Sequence, residues 1–505
     1  MRTRFLRISA ALLILIAIGG MVWSPAWWFF LILGPIVACG IYDTLQTRHA
    51  ILRNFPVIGH FRYLLEGIGP ELHQYFIENA LDGTPIHRTD RTYVYSRAKQ
   101  EHQVHPFGTE LDLQATGYVY MAHSIYPVAH LSPPPRVTIG GPHCSQPYAA
   151  SVFNISAMSY GALSKPAVEA LNIGAREGGF FHSTGEGGIA PAHLHGGDLC
   201  FQVGTGYFGA RTPDGAFCPD RFRENAIRPE VKLIELKLSQ GAKPGHGGIL
   251  PAAKNSEEIA KIRGVLPHTR VDSPPYHTAF EGPEGLLHFI QQLRELADGK
   301  PVGFKLCLGD RHEFVALCEA MVATSITPDF ISVDGAEGGT GAAPIDFSNH
   351  VGVPLKEALI FVVDTLHCYD LKRHIRVIAA GKVITAFDIY RTLCLGADLC
   401  NSARGMMLAL GCIQALECHR NTCPTGITTN KPSLTRGLVV ADKWPRVRNY
   451  HNETVEDFLE LVAAAGVTDL EQLNRSRLWK RLGPDDVRRV DEIHPLGGRM
   501  SSPLH

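Results

Sequence analysis

The chain has 505 residues, 45% of them hydrophobic and 19% charged, and a formal net charge of -1. Near-neutrality leaves no basic footprint, so nucleic acid is not an expected partner. A chain this long exceeds one small core and calls for one large domain with additions, or for two to three domains.

Residues 5–23 read FLRISAALLILIAIGGMVW, Ser24-Pro25 interrupts, and residues 27–42 continue as WWFFLILGPIVACGIY. Each run approaches the roughly 20 residues that cross a bilayer. The pattern predicts a transmembrane helical hairpin over residues 1–50, with Trp23, Trp27 and Trp28 in an interfacial belt. Arg2, Arg4 and Arg7 precede it and Arg48, Arg53 and Arg62 follow, which places both ends in the cytoplasm and the hairpin in the inner (cytoplasmic) membrane. A second apolar run directly after the first argues against a cleaved signal peptide. Residues 51–150, with NFPVIGHFRYLLEGIGPELHQYF and HLSPPPRV, are predicted as a cytoplasmic lead-in of short helices and irregular segments.

Over residues 151–430, short apolar runs end at NISAMSYG, FFHSTGEGG, CFQVGTGYFG, LIELKLSQGAKPG, VGFKLCLG, FISVDGAEGGTG, VIAAGK and LCNSARG. Helical patterns such as KPAVEALNIGAREG lie between several of them. This alternation predicts an α/β fold, a (β/α)8 TIM barrel whose chemistry sits on the loops after the strands. A doubly wound open sheet is less favoured, because no G-x-G-x-x-G opens a helix after the first strand.

The last such loop leads into GCIQALECHRNTCPTG, where Cys412, Cys418 and Cys423 stand at Cys-x5-Cys-x4-Cys with proline after the last. Short spacers let thiolates converge from one chain, and a Cys-Pro step gives a rigid turn. Three ligands suit a three-iron cluster, or a four-iron cluster with a foreign fourth ligand. The competing use of cysteine is as a small buried apolar residue. The other cysteines (39, 144, 200, 218, 307, 318, 368, 394 and 400) lack the spacing of a disulfide scaffold, which favours a reducing compartment. Residues 431–505 are predicted as a small helical extension without chemistry, with capping-box-like starts at Thr454 to Asp457 and Thr468 to Glu471.

SAMSYGALS, STGEGG, LKLSQGAKPGHGG, VDGAEGGTGAAP and CIQALECHRNTCPTG together resemble, in order, the FMN-binding synthase domain of glutamate synthase, in its short membrane-associated branch. The resemblance runs from about Asn154 to Gly426. It implies a barrel with FMN and a 3Fe-4S cluster that reductively aminates 2-oxoglutarate to L-glutamate through 2-iminoglutarate. It places Met158, Ser159 and Tyr160 against the flavin, Gln202 near its ring and Lys305 at its pyrimidine edge, where a cation stabilises the reduced anion. A snorkelling surface role is the alternative for such a lysine. Gly381 and the Ser402-Ala403-Arg404-Gly405 stretch fall in the family's phosphate loops, which hold phosphate by backbone N–H groups. Here the chain departs from the large enzymes: Ala379-Ala380-Gly381 replaces Asp-Gly-Gly, and Arg404 replaces a small polar residue, offering a phosphate fork.

The resemblance also assigns Lys237, Lys243 and Arg263 to a dicarboxylate, and makes Glu186 and Lys243 the catalytic candidates, Glu186 as a proton relay. Ile249 stands where the large enzymes have a substrate-site glutamine. That departure keeps another oxo acid or an N-alkyl amino acid open as substrate. The large enzymes' N-terminal cysteine nucleophile and a second Gly-rich dinucleotide unit are not seen in this sequence. Nitrogen is therefore expected from ammonia or a glutaminase partner, and electrons from ferredoxin, a reductase subunit or a membrane donor. A membrane electron-transfer module is the remaining alternative; the cationic set argues against it.

Overall fold

The computed structural model describes residues 1–101 and 107–496, and the chain forms two compact units that divide between Arg88 and Thr89. In the first unit, helices α1 (Arg2–Val22) and α2 (Phe29–Leu45) are separated by a 3-10 turn, Ser24–Trp28, with Pro25 in its first turn. Proline is tolerated there because those N–H groups have no intrahelical acceptor. Among the described residues, Arg2–Val22 and Ser24–Leu45 are the segments long and apolar enough to cross a membrane, with mean hydropathies of 2.3 and 1.7. The two helices approach closely where Gly40 meets the Phe5 ring. A short helix, Ala50–Asn54, then leads to α3 (Gly59–Leu72), which leaves Phe61, Leu64, Leu65 and Ile68 exposed.

The second unit is built on eight strands: β1 (Phe153–Ile155), β2 (His182–Ser183), β3 (Leu199–Val203), β4 (Val231–Lys237), β5 (Val302–Leu306), β6 (Phe330–Asp334), β7 (Arg376–Ala380) and β8 (Leu399–Ser402). They are parallel and close into a barrel through the β8–β1 pair, in which Asn401 lies beside Asn154. All eight predicted strand runs are barrel strands. They are buried on both faces, as parallel strands covered by helices must be, which is why they read as apolar runs instead of alternating ones. The helix after β1, α4 (Lys165–Gly178), begins at Ser164, whose side chain caps Ala167 N–H, and stops at left-handed Gly179.

The lead-in supplies the barrel floor. Strands Val137–Ile139 and Tyr148–Ala150 pair antiparallel, and Ile139 and Ala150 pack against Phe181, Cys200, Leu233, Phe330, Ile378 and Leu399. The C-terminal region contains helix α5 (Val440–Ala464), which lies along α4; a Cβ on Gly174 would meet Val447. Two expectations for this region are corrected. Thr454 does not open a helix, because it is fully buried in the interior of α5, where packing overrides its capping tendency. Thr468 lies just before a 3-10 turn, Leu470–Gln472, capped by Asp469 instead. The region also holds strands Leu478–Arg481 and Val487–Arg489, which join Val119–Met121 in a three-stranded antiparallel sheet.

Candidate active site at the barrel mouth

Side chains that point inward near the strand ends converge on one cavity of about 610 Å³, its open mouth included. Its lining contains Ser159, Glu186, Gln202, Lys237, Lys305, Gly381, Ala403 and Arg404 from the sequence-derived set, together with Gln240, Asp334, Gly338, Gly339 and Asn401, which sequence reasoning missed. Strand register explains the grouping. Lys237 and Lys305 are direct neighbours across β4 and β5, and Gln202 neighbours Glu235 across β3 and β4. Gln202 Nε2 donates to Glu235 Oε2 at 2.5 Å, and Ser332 Oγ donates to Oε1 at 2.5 Å, making a bonded polar layer inside the barrel. The missed Glu235 had a signal: in LIELKL it lies two residues before Lys237, on the same side of a strand.

The mouth is a field of cations around one carboxylate. Lys237 Nζ lies 3.0 Å from Glu186 Oε2 and donates to Gln240 Oε1 at 2.7 Å. Burial would push the Glu186 carboxyl up, but Lys237, Arg263 and Lys243 outweigh it and hold the group below its ordinary value, ionised. A Cβ at Gly204 or Gly248 would collide with this carboxylate, so both glycines make room for it. Lys243 is buried, donates to Ala342 O at 2.8 Å, and is pushed down to about 8, by burial first and by Lys237 second. Arg263 is pushed down to about 10 by burial; its Nη2 donates to Tyr160 O at 3.0 Å and its guanidinium stacks 4.8 Å from the Phe208 ring centre. Asp272, the other acid near Lys243, is paired with Arg270 at 2.9 Å. Positive charge is therefore in excess beside Glu186.

Lys305 Nζ pairs with Asp334 Oδ2 at 3.0 Å; burial alone would lower its pKa, but Asp334 and Glu235 raise it, so the ammonium stays charged. Across the cavity, Gly381 (φ 134) brings its loop against the Gly335 backbone, an approach a side chain would obstruct. Arg404 opens helix Arg404–Leu410 and donates from Nη2 to Glu337 O. Asn401 Oδ1, buried in this wall, has no partner among the described residues. Met158 and Tyr160 are buried beside Ser159 and do not line the cavity, nor do Lys243 and Arg263. Ile249 is half-buried, opens the two-residue strand Ile249–Leu250 and is likewise outside the lining.

A phosphorylated aromatic cofactor fits these residues: a buried cation and amide at one side, glycine loops and an arginine at the other, and an orphaned amide oxygen in the wall. The cysteine loop follows Leu410. Cys412 and Cys418 are half-buried and Cys423 is buried. Burial first, and the neighbouring Cys418 and Cys423, push the Cys412 thiol up to about 11. At Cys423, hydrogen bonds from Thr425 and Thr428 outweigh burial and lower the value. Gln414 N–H donates to Cys412 Sγ at 3.4 Å, a bond that suits thiolate. Lys254, also missed, donates to Cys418 O at 2.8 Å, Thr428 O at 2.7 Å and Ala162 O at 3.2 Å, tying this loop to the segment after β1.

Fold and site thus define a parallel (β/α)8 barrel with a charged mouth and a neighbouring cysteine loop. A family profile described as "Conserved region in glutamate synthase" matches residues 139–468, and the chain belongs to the glutamate synthase family, an assignment that implies an oxidoreductase. It is 37% identical over 495 residues to the glutamate synthase large subunit-like protein YerD of Bacillus subtilis (strain 168), covering 90% of this chain and 94% of that protein. It is 34% identical over 328 residues to the archaeal glutamate synthase (NADPH) of Methanocaldococcus jannaschii, covering 64% of this chain and 61% of the relative. A solved mutant flavocytochrome b2 with benzoylformate aligns over 86% of this chain and 89% of its own, at 13% identity and a TM-score of 0.43. The barrel assignment rests on the strand pairing itself.

Proposed function

We propose that this protein reductively aminates 2-oxoglutarate to L-glutamate, with FMN in the barrel mouth and a 3Fe-4S cluster on Cys412, Cys418 and Cys423. Ammonia, free or from a glutaminase partner, condenses with the 2-oxo carbon and water leaves. The resulting 2-iminoglutarate takes up two electrons and two protons, the electrons coming from ferredoxin, a reductase subunit or a membrane donor. FMN, when bound, supplies hydride transfer; Gln202 and Lys305 would hold its ring, and Gly381, Ala403 and Arg404 its phosphate.

The observation that carries this reading is the excess of positive charge formed by Lys237, Lys243 and Arg263 around the ionised Glu186. A dianion is the ligand such a field favours. An ammonium titrating near 8, as at Lys243, is charged at neutral pH yet able to release its proton there, which suits acid–base work. Glu186 holds Lys237 in place and offers Oε1 or Oε2 as a proton acceptor. Ile249 in place of glutamine is the feature that favours a different oxo acid or an N-alkyl amino acid.

The test is titration of the oxidised protein with 2-oxoglutarate, followed by flavin difference spectra. Wild type is expected to respond at millimolar ligand and Lys243→Ala to bind more weakly; no response from wild type removes 2-oxoglutarate as substrate. Iron and sulfide analysis tests the cluster, which Cys412→Ser, Cys418→Ser or Cys423→Ser is expected to abolish. We further propose that α1 and α2 anchor the chain in the inner membrane with the barrel in the cytoplasm, from their length and flanking arginines. Recovery of the full-length protein wholly in the soluble fraction after gentle lysis would exclude the anchor.

A further inference from the structure

Cys39 and Asp43 stand four residues apart near the end of α2, and His60 stands in the first turn of α3. The fold brings their donor atoms together. Cys39 Sγ lies 3.6 Å from His60 Nε2, that nitrogen lies 3.0 Å from both Asp43 carboxylate oxygens, and all three residues offer donor atoms within 4.8 Å of one another. We propose that Cys39, Asp43 and His60 bind one divalent cation of the zinc class, which staples α3 to the end of α2.

The spacing matches the chemistry. With Zn–S near 2.3 Å and Zn–N and Zn–O near 2.0–2.1 Å, tetrahedral angles put sulfur and nitrogen about 3.6 Å apart and nitrogen and oxygen about 3.3 Å apart. The observed 3.6 Å is that sulfur–nitrogen edge, and the 3.0 Å contacts need only a small opening. Hydrogen bonding alone explains less. One imidazole nitrogen carries at most one hydrogen, yet Nε2 faces a sulfur and two carboxylate oxygens. A plain His60–Asp43 ion pair accounts for the oxygens and leaves the thiol without a reason to be there.

Two further observations concern Asp43. It is fully buried, although it sits on a strongly apolar helix where a lone carboxylate is costly. A thiolate and a carboxylate cancel the charge of a divalent ion, and a neutral imidazole adds none, so the loaded site is electrically neutral. The Asp43 Oδ2 also accepts the Val57 N–H at 2.9 Å, and Val57 is held at φ 64, a conformation that β-branched residues rarely adopt. The turn thus aims a backbone donor at the carboxylate, the kind of outer hydrogen bond that orients metal ligands. The mixed sulfur, nitrogen and oxygen set selects zinc over magnesium or calcium, which take oxygen ligands. A fourth position is left for water, on the side where His60 is 48% exposed.

The test uses the full-length protein in detergent, washed with chelator and reloaded with Zn2+ or Co2+. Other thiols in the chain also bind metal, so the measurement is the difference between wild type and each variant. Cys39→Ala and His60→Ala are each expected to retain one equivalent of Zn2+ less than wild type. Cys39→Ala should in addition lose thiolate-to-cobalt charge-transfer absorption. Equal zinc in wild type and both variants overturns the proposal.

Discussion

At the barrel floor, Arg294 and Asp329 are 2% and 1% exposed and their polar groups are spent on structure. Arg294 reaches Asp329 Oδ2 at 3.1 Å, Thr327 O at 2.7 Å and Gln291 Oε1 at 2.7 Å, while Asp329 accepts Gly141 N–H at 2.6 Å and Val302 N–H at 2.8 Å. Nearby, Lys300 Nζ is bonded to Ala226 O and Arg228 O. The mouth has charges of the same kinds, but its bonding is incomplete: Asn401 Oδ1 and Arg263 Nε are buried without a partner among the described residues. At the floor the Thr327 hydroxyl is buried without a partner among the described residues, but each charged group is paired, and paired charges fix a structure. An unsaturated network, at the end of the barrel where loops carry chemistry, has capacity left for a ligand.

Four measurements sharpen this contrast. The largest effect is expected at the floor: Arg294→Met leaves Asp329 buried without its cation and should cost about 3–5 kcal/mol in denaturant unfolding. Replacing Asp329 by Leu as well should recover little, because the Gly141 and Val302 N–H groups then lose their acceptor. At the mouth, Lys305→Met should cost only about 1–2 kcal/mol of stability, since Asp334 lines the open cavity, where water can solvate it once its cation is gone. The same variant should purify with much less bound flavin. If Lys305→Met keeps full flavin and loses as much stability as Arg294→Met, the two ends do not differ in kind.

The third measurement follows from Lys243. Its folded value of about 8 lies below the ordinary lysine value, so the ammonium is present at pH 7 and is lost as pH rises through about 8. Lys243 lies behind the cavity lining and acts through its charge, so affinity for a dicarboxylate should fall a few-fold between about pH 7 and 9.5 as that charge is lost. Lys243→Ala should flatten that part of the profile. For stability the sign reverses: the unfolded chain holds this proton more tightly, so this group's penalty is present below about 8 and is relieved as pH rises toward its ordinary value. The smallest effect is expected from Ile249→Gln, which restores an amide near the site. Because Ile249 is half-buried and outside the cavity lining, the gain in 2-oxoglutarate affinity should be about 1 kcal/mol or less.

Barrel strands such as VGFKLCLG and FISVDGAEGG were readable because their apolar runs end abruptly in glycine or charge. The candidate site was readable through the family resemblance, which carries Glu186 in STGEGG, Lys237 in LKLSQGAKPGHGG and Lys305 in VGFKLCLG. Asp334 and Asn401 were not, since a strand-end acid or amide becomes a site residue only when barrel closure sets it beside Lys305 or Asn154. The three-residue strand Val119–Met121 carries too little pattern to be seen, and its pairing is decided by tertiary packing. The same holds for Thr454, where local capping preference yields to burial against the barrel. Cys39, Asp43 and His60 belong to two helices, and no spacing rule joins them.

The sheet of Val119–Met121, Leu478–Arg481 and Val487–Arg489 has a kinetic consequence. Val119 pairs with Lys480 and Met121 with Leu478, so the first strand emerges from the ribosome long before its partner exists. At the usual pace of ~5–20 residues per second, that wait is on the order of tens of seconds. During it the Val119–Met121 edge presents unpaired N–H and C=O groups, a template for the wrong strand. Chaperone binding during synthesis should thus concentrate upstream of the barrel and end only when the last hairpin is made.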